Sequence, residues 1–361
     1  MSDAFRANLD PGGAFRAGVG ILGAGRWGTT LAWLAAQDPQ NRETEAGQPQ
    51  GREVHLWSDE PAARARSTAA AAPVHAGGLT LGPTVHLDSD LRTMARRCHL
   101  LVVAVPVARL RPLLRQLGEV VDGSHVLVHA VRGIEVGTGA LPSRVVAEET
   151  CVRKVGALLG AALVDELAQG RPNAALVASR FAEVIAVTKA AFAGGALRLS
   201  GSADLVGVEA AAAAASAVAV ALGMAIERGF GPAALAAATA RGAAEVARLA
   251  AAHGGEAQTG WGIAGLGSLL VECRLVAADA ELSHGRDVEL GRRLARLGGD
   301  GKPGTEAAVV AALGPVDATQ AARAFARLAA DRAVAAPIVT AVAAVLDGRV
   351  GVDAVERALL A

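Results

Sequence analysis

The chain has 361 residues, of which 52% are hydrophobic and 19% are charged, a composition that argues against a disordered protein. Its 35 Lys and Arg residues balance its 35 Asp and Glu residues, which argues against a general nucleic-acid binder. The three cysteines have no CxxC spacing, so we expect packed, reduced thiols, no metal site and a cytoplasmic location.

The first half of the chain alternates predicted strands and helices. Residues 1–17 are expected to be a flexible leader, because they contain no apolar signal-peptide core. The predicted elements that follow are a strand at Val19–Leu22, a helix at Thr29–Gln37, a polar loop at Asp38–Arg52, a strand at Glu53–Trp57, a helix at Pro61–Ala72, a strand at His99–Val105, a helix at Val107–Leu117 and strands at Ser124–Val131, Ala174–Ala178 and Arg198–Ser200. This alternation predicts a parallel sheet covered on both faces.

Beyond Leu205 the sequence becomes rich in Ala and Leu and predicts helices only. Breaks between these helices are expected at Gly229–Pro232, Gly254–Gly255, Gly265–Gly267 and Gly298–Gly304. The apolar run Ala210–Ile226 is shorter than the roughly 20 residues that a membrane span needs, so we expect a buried helix and no membrane span. The predicted fold is an α/β Rossmann-type N-terminal domain (18–204) followed by an all-α C-terminal domain (205–361).

Gly23, Gly25 and Gly28 form a G-x-G-x-x-G pattern between the first strand and the first helix. In a dinucleotide-binding loop the first glycine permits a tight turn, the second admits the pyrophosphate and the third lets the helix pack closely. The helix N-terminus adds N–H groups and the positive end of its dipole. We therefore predict a dinucleotide site that includes Arg26 and Trp27, although Trp27 could instead only cover the core.

Asp59 follows the second strand, where a carboxylate can accept hydrogen bonds from the adenine ribose and repel a 2′-phosphate. This position favours NAD over NADP as the cofactor. The alternative is that Asp59 caps the predicted helix that begins at Pro61, and the two roles are compatible.

Several short phrases of the sequence resemble the NAD(P)-dependent glycerol-3-phosphate dehydrogenase family. They are Gly-Ala-Gly-x-Trp-Gly-Thr at Gly23–Thr29, Ala-Val-Pro at Ala104–Pro106, Gly-Val-Glu at Gly207–Glu209, Gly-Phe-Gly at Gly229–Gly231, Ala-Arg-Gly-x-x-Glu at Ala240–Glu245 and Gly-Leu-Gly at Gly265–Gly267. The resemblance implies that Val105 and Pro106 line the cofactor site and that hydride passes between NAD(H) and glycerol 3-phosphate or dihydroxyacetone phosphate. It also implies a homodimer.

The positions that carry catalysis in this family differ here. The family's general acid/base Lys and its neighbouring Asn fall on Ala215 and Ser216, and alanine cannot transfer a proton. A second Lys falls on Arg132, which keeps the charge but cannot cycle as acid and base. The family's Asp after Gly-Leu-Gly falls on Ser268, and a Thr falls on Glu272.

Arg286 is the retained member of the site that the resemblance implies. The family's phosphate-binding Arg-Asn matches Arg286-Asp287, so Arg286 is a candidate for contact with the substrate anion and with the cofactor. His253 and His284 are candidate replacements for the missing acid/base group, because histidine titrates near neutral pH.

Three functions remain open from the sequence. The chain resembles an NAD-dependent glycerol-3-phosphate dehydrogenase with a re-engineered site. Alternatively, it is a catalytically silent NAD-binding regulatory protein. In the third interpretation, it is a dehydrogenase of another small anionic hydroxy or keto acid, held by Arg132 and Arg286.

Overall fold

The computed structural model describes residues 18–37, 42–43, 49–50, 52–59, 75–76, 79–135, 137–273, 285–297, 308–309, 312–313 and 316–361. The predicted leader (1–17), the predicted helix at Pro61–Ala72 and the predicted break at Gly298–Gly304 lie outside these residues.

The chain divides into two compact units. The first unit contains the described residues up to Val131, together with Pro142–Leu158 and Ala162–Ala203. The second unit contains Arg132–Leu141, Leu159–Ala161 and the described residues from Asp204 to Ala361. Two short stretches that the sequence analysis assigned to the first domain, 132–141 and 159–161, thus pack within the second unit.

The strands of the first unit are β1 (Gly18–Leu22), β2 (Arg42–Glu43), β3 (Pro49–Gln50), β4 (Val54–Trp57), β5 (His75–Ala76), β6 (Leu79–Thr80), β7 (Val85–Asp88), β8 (Cys98–Val103), β9 (Val126–His129), β10 (Lys154–Leu159), β11 (Asn173–Ala178) and β12 (Leu197–Ser202). Eight strands in the described residues form one sheet in the order β12-β11-β10-β9-β8-β1-β4-β7. The other two pairs, β2-β3 and β5-β6, are short antiparallel ladders.

The helices of the first unit are α1 (Arg26–Ala36), α2 (Leu91–Arg97), α3 (Val107–Gly118), α4 (Pro142–Glu149), α5 (Val164–Ala168) and α6 (Ala182–Ala191). Those of the second unit are α7 (Leu205–Glu227), α8 (Pro232–His253), α9 (Ala257–Gly260), α10 (Ser268–Glu272), α11 (Arg286–Leu297), α12 (Ala318–Asp331), α13 (Pro337–Leu346) and α14 (Asp353–Leu360).

The centre of the large sheet is parallel and apolar. In register, Ile21 of β1 lies between Leu56 of β4 and Val102 of β8, and all three side chains are buried. A strand buried on both faces is a run of apolar residues without alternation, as in Leu100–Val103 of β8. This is the α/β architecture that the sequence predicts.

The sheet also fixes where a ligand can bind. Strand β4 lies next to β1 on one side, and β8, which comes later in the chain, lies next to β1 on the other side. The order of the strands therefore reverses at the pair β1-β8. In open parallel sheets, ligands bind at the carboxyl ends of the strands that flank such a reversal. The Gly23 loop and the Ala104–Pro106 segment both begin at these ends.

The second unit is built around α7, which is buried along almost its whole length. Among the described residues, α7 is the one helix long and apolar enough to cross a membrane, but 94% of its most apolar window is buried inside the protein. Its alanine-rich sequence favours a helix and lets neighbouring helices approach closely. The Asp204 carboxylate begins the helix by accepting a hydrogen bond from the Gly207 N–H at 2.8 Å.

Helices α7 and α11 touch backbone to backbone. A Cβ atom on Gly223 of α7 would lie 2.1 Å from the Val288 carbonyl oxygen of α11. A Cβ atom on Gly291 of α11 would lie 1.9 Å from the Val220 carbonyl oxygen of α7. Because both glycines are required for this approach, the crossing fixes the separation of the two helices.

Three local predictions from the sequence are wrong. The predicted loop Asp38–Arg52 contains the paired strands β2 and β3. Gly265–Gly267 does not end a helix, because a π-helical turn at Ile263–Gly267 continues directly into α10. Close packing requires glycine in that turn, since a Cβ on Gly265 would lie 2.0 Å from the Gly260 carbonyl oxygen. All three cysteines are free, but Cys151 is exposed rather than packed.

Candidate functional site

The glycine loop between β1 and α1 has the geometry that a dinucleotide needs. Gly23 has φ +119°, which favours glycine, and a Cβ there would lie 2.5 Å from the Ala104 carbonyl oxygen. A Cβ on Gly28 would lie 1.9 Å from the Gly23 carbonyl oxygen, so the third glycine lets α1 pack against the turn.

Gly25 is different from the two crowded glycines. It is exposed, it is the N-cap of α1, and a Cβ there would meet no protein atom within 4 Å. Packing within the protein therefore does not explain the glycine. An open glycine in front of a helix N-terminus, on the loop of a strand-order reversal, fits the approach of a pyrophosphate.

The neighbouring residues of the loop have distinct surroundings. Arg26 is exposed and forms an ion pair with Asp165 of α5. Trp27 is partly buried and packs against the hydrophobic core of the sheet, which is the alternative role considered for it from the sequence. At the carboxyl end of β8, Val105 is partly buried and Pro106 is exposed at the start of α3.

Asp59 lies just beyond the carboxyl end of β4 and forms an ion pair with Arg109 of α3. Both side chains are 45% exposed. The structure thus places a carboxylate and a guanidinium together where a ribose-binding acid is expected. The carboxylate disfavours a 2′-phosphate, and its pairing with Arg109 partly neutralises that effect.

The second unit contains a cluster of three charged side chains, Arg132, Glu272 and Asp287, which we call the charge cluster. The Arg132 Nη2 atom donates to Glu272 Oε1 at 2.6 Å and to Asp287 Oδ2 at 3.0 Å. Their side chains are only 28%, 16% and 8% exposed. Arg132 enters the cluster from the segment after β9, Glu272 from the end of α10, and Asp287 from the first turn of α11.

The charge cluster strongly alters the protonation of its members. Burial raises the pKa of Asp287 to about 6, although the Arg132 guanidinium opposes this rise, and the nearby Glu272 carboxylate adds to it. Burial by itself would lower the pKa of Arg132, but the two carboxylates raise it well above its ordinary value. Asp287 also accepts a hydrogen bond from the Ser216 hydroxyl of α7.

Both halves of the chain match one protein family. Residues 18–185 match the NAD-dependent glycerol-3-phosphate dehydrogenase N-terminus, and residues 204–356 match the C-terminus of the same family. The chain belongs to the NAD-dependent glycerol-3-phosphate dehydrogenase family.

Individual relatives agree with this assignment. Glycerol-3-phosphate dehydrogenase [NAD(P)+] of Brucella ovis is 31% identical over 231 residues, which cover 64% of this chain and 67% of that protein. The enzyme of the same name from Bradyrhizobium diazoefficiens is 32% identical over 230 residues, covering 64% and 67% of the two chains. The crystal structure of glycerol-3-phosphate dehydrogenase from Coxiella burnetii has the same fold, with a TM-score of 0.79 at 24% identity over 95% of this chain and 98% of that chain.

Three positions to which the resemblance assigns catalysis carry small, buried side chains. Ala215, Ser216 and Ser268 are each 2% exposed. The Ser268 hydroxyl donates to the Ile263 carbonyl oxygen at 3.2 Å, so it provides a hydrogen-bond partner for the first carbonyl of the π-helical turn. Only Ser216 contacts the charge cluster.

Lysine is scarce in this member of the family. The sequence contains Lys154, Lys189 and Lys302. Lys154 pairs with Glu183 at 2.9 Å and Lys189 is exposed on α6, both in the first unit. Lys302 lies outside the described residues. Within the part of the second unit that the structure describes, no lysine is available to replace Ala215.

The remaining candidates contact other groups or lie outside the described residues. The Arg286 Nη2 atom donates to the Leu313 carbonyl oxygen at 2.6 Å, and the residue is exposed at the start of α11. His253 ends α8 and packs edge-on against Phe325, with 6.2 Å between ring centroids. Burial lowers the pKa of His253, which favours a neutral packed imidazole. His284 lies outside the described residues.

Sequence reasoning recognised Glu272 and Asp287 only as substitutions and missed their joint role. They are 140 and 155 residues from Arg132 in the chain, so no local pattern connects them. The sequence did contain one indication of the charge cluster. Among the positions that the resemblance assigns to one site, a Thr and an Asn are replaced by the acidic Glu272 and Asp287, and a Lys is replaced by Arg132. Charge balance across those positions would have predicted an ion cluster.

Proposed function

We propose that this protein is an NAD-dependent oxidoreductase that exchanges hydride with a small, anionic hydroxy or keto compound. Glycerol 3-phosphate and dihydroxyacetone phosphate, the substrates of its family, are the first pair to test. The observation that carries the proposal is the open Gly25 at the N-terminus of α1, on the loop where the strand order reverses.

The residues present fit a dinucleotide. The N–H groups and dipole of α1 would face the pyrophosphate, and no acidic residue lies in the first turn of that helix. Asp59 would accept hydrogen bonds from the adenine ribose. When bound, NAD(H) supplies or accepts the hydride. The protein must then exclude water, orient the carbonyl or alcohol, and move one proton to or from its oxygen.

A second candidate function is NAD binding without catalysis. Two observations favour it: the family's acid/base position is the buried Ala215, and Arg132 is already paired with two carboxylates. With all three groups ionised, the charge cluster carries a net negative charge and does not attract a phosphate. In this case the protein senses NAD(H) or regulates a partner.

Titration of the full chain with NADH, with and without dihydroxyacetone phosphate, separates the two functions. Tryptophan fluorescence follows binding, and loss of nicotinamide absorbance follows turnover. Consumption of NADH only with the phosphate supports the oxidoreductase. Binding without consumption, across a panel of other small keto acids as well, supports the silent function. Failure to bind NADH contradicts both.

Cofactor choice provides a prediction for Asp59. We expect the protein to bind NADH more tightly than NADPH, and Asp59→Asn to strengthen NADPH binding about tenfold, because it removes a carboxylate that repels the 2′-phosphate. Fluorescence titration with both cofactors measures the ratio. Glu148→Gln, which removes a carboxylate paired with Arg111 elsewhere in the first unit, is the matched control. An unchanged ratio in Asp59→Asn would show that Asp59 does not face the ribose.

We further propose a homodimer in the cytoplasm, with a small phosphorylated substrate and no nucleic-acid partner. The resemblance to the family supports the dimer, and the balanced charge of the chain supports the absence of nucleic acid. Light scattering coupled to size exclusion determines the oligomeric state. A monomer at micromolar concentration would contradict the dimer.

A further inference from the structure

We propose that the charge cluster is the proton-holding site of the second unit, with the Asp287 carboxyl giving a proton to the substrate oxygen in ketone reduction and recovering it in alcohol oxidation. This inference rests on the proposed oxidoreductase function. It assigns a chemical role to Asp287, which the sequence analysis identifies only as the neighbour of Arg286.

The composition of the charge cluster favours binding of one proton. Two carboxylates share one guanidinium, so the fully ionised cluster has an uncompensated negative charge inside the protein. The second Glu272 oxygen, Oε2, is buried and has no hydrogen-bond partner among the described residues. The cluster is therefore short of positive charge and of hydrogen-bond donors, and one added proton supplies both.

The geometry indicates which carboxylate takes that proton. Glu272 forms the shorter ion pair with Arg132, at 2.6 Å against 3.0 Å for Asp287. Asp287 is the more buried of the two, and this burial raises its pKa; the hydrogen bond from Ser216 orients the carboxyl and lowers its pKa in part. The longer ion pair and the greater burial favour Asp287 as the proton carrier.

The charged groups around Asp287 act in opposite directions. Arg132 lowers its pKa but is shared with Glu272, whose carboxylate raises it. Asp317, the N-cap of α12, adds negative charge that raises the pKa of Asp287. Cys273 is buried, and burial raises the pKa of its thiol, so it adds no charge near neutral pH. Burial, opposed by Arg132 and assisted by Glu272, raises the pKa of Asp287 to about 6, close to the range in which a general acid/base works best.

Two other buried titratable groups in the described part of the second unit have structural roles. Glu245 is buried and accepts backbone hydrogen bonds from Ile338 at 3.0 Å and Val339 at 2.7 Å, so its carboxylate caps α13. His253 packs against Phe325, and burial lowers its pKa. Neither side chain contacts the charge cluster in the hydrogen bonds and ion pairs of the described residues.

In reduction, bound NADH would supply the hydride to the carbonyl carbon; the C=O π pair would move to oxygen, and that oxygen would take the Asp287 proton. The alcohol, NAD⁺ and the Asp287 carboxylate would result, and Arg132 would stabilise the carboxylate. In oxidation, the Asp287 carboxylate would take the hydroxyl proton, and bound NAD⁺ would accept the hydride. Ser216 keeps the carboxyl oriented in both directions.

The test compares Asp287→Asn with Glu272→Gln in the full-length protein. Asp287→Asn is expected to lower kcat for ketone reduction by about 10²–10⁴-fold and to leave NADH affinity unchanged. In the unmodified protein, reduction should decline as pH rises through about 6, because the acid form of Asp287 is lost. Glu272→Gln is expected to shift this decline to lower pH, because it removes a negative charge that raises the pKa of Asp287.

Infrared spectroscopy provides a measurement that does not depend on turnover. The carbonyl band of a protonated carboxyl should titrate near pH 6 in the unmodified protein and disappear in Asp287→Asn. It should persist in Asp353→Asn, which removes an exposed aspartate paired with Arg357. Circular dichroism and NADH binding establish that each variant is folded.

The possible outcomes distinguish this inference from the proposed function. Loss of turnover and loss of the infrared band in Asp287→Asn alone support the role of Asp287. Full turnover in Asp287→Asn, or an unmodified protein without the band, overturns that role while the oxidoreductase function survives. An unmodified protein that binds NADH but reduces no keto compound contradicts the function and, with it, the catalytic role of the proton site.

Discussion

Gly25→Ala is expected to weaken NADH binding by about 10- to 100-fold, equivalent to about 1.4–2.8 kcal/mol, while leaving the protein folded. A Cβ at this position meets no protein atom within 4 Å, so the fold tolerates the added methyl group. The N-cap residue has φ −71° and ψ 176°, a conformation that alanine adopts without strain. The methyl group instead occupies the space through which a pyrophosphate approaches the backbone.

Two further glycine variants make this prediction specific. Gly123→Ala is the matched control, because a Cβ there also meets nothing within 4 Å and the residue lies outside the cofactor loop. It should leave both the melting temperature and NADH affinity unchanged. Gly28→Ala should instead destabilise the fold, since its Cβ would lie 1.9 Å from the Gly23 carbonyl oxygen. Equal NADH affinities in Gly25→Ala and Gly123→Ala would contradict a dinucleotide at this loop.

Arg132→Met is expected to lower the free energy of unfolding at pH 8 by about 3 kcal/mol, because it leaves Glu272 and Asp287 as unpaired carboxylates with little access to water. This loss of stability is at the low end of the range that is usual when a buried ion pair is broken, because the Arg132 side chain is 28% exposed. Urea denaturation followed by circular dichroism measures the change.

The destabilisation by Arg132→Met should also depend on pH. The folded-state pKa of Asp287 is already raised to about 6, above its unfolded value, so the folded protein binds the proton more strongly. For such a group, stability is greatest at low pH and is lost as pH rises through the folded pKa. Removal of Arg132, which lowers the pKa of Asp287, raises that pKa further, so the destabilisation should be smaller at pH 5 than at pH 8.

Arg357→Met is the control for this experiment. Arg357 pairs with Asp353 on the exposed face of α14, and an exposed pair contributes at most about 1 kcal/mol. If Arg132→Met and Arg357→Met cost the same and neither depends on pH between 5 and 8, the charge cluster is not a buried ion network.

The N-terminal elements could be predicted from the sequence because their signals are local. The apolar strand β1, the three glycines and the start of α1 follow one another within a few residues, and each has one physical role. By contrast, β10 gave no clear signal, because Gly156 and Ala157 at its centre have weak strand propensity. Its glycine is explained only by packing, since a Cβ there would lie 2.8 Å from the Val184 Cγ1 atom.

The charge cluster could not be predicted in the same way. Its members come from three elements separated by more than 100 residues, and its properties depend on distances that only the folded second unit defines. The resemblance to the family identified the positions expected to carry catalysis. Ala215 and Ser216 at two of these positions suggested only that an acid/base group had been lost. In the structure, Ser216 donates a hydrogen bond to Asp287, a carboxyl whose pKa burial raises to about 6.

In the contact between α7 and α11, the residues that set the helix spacing differ from the residues whose side chains are chemically relevant. Gly223 and Gly291 set the spacing of the two backbones, whereas residues 215, 216 and 287 present side chains along the same two helices. The crossing therefore holds the two backbones that carry these positions at one spacing, provided that both glycines are kept.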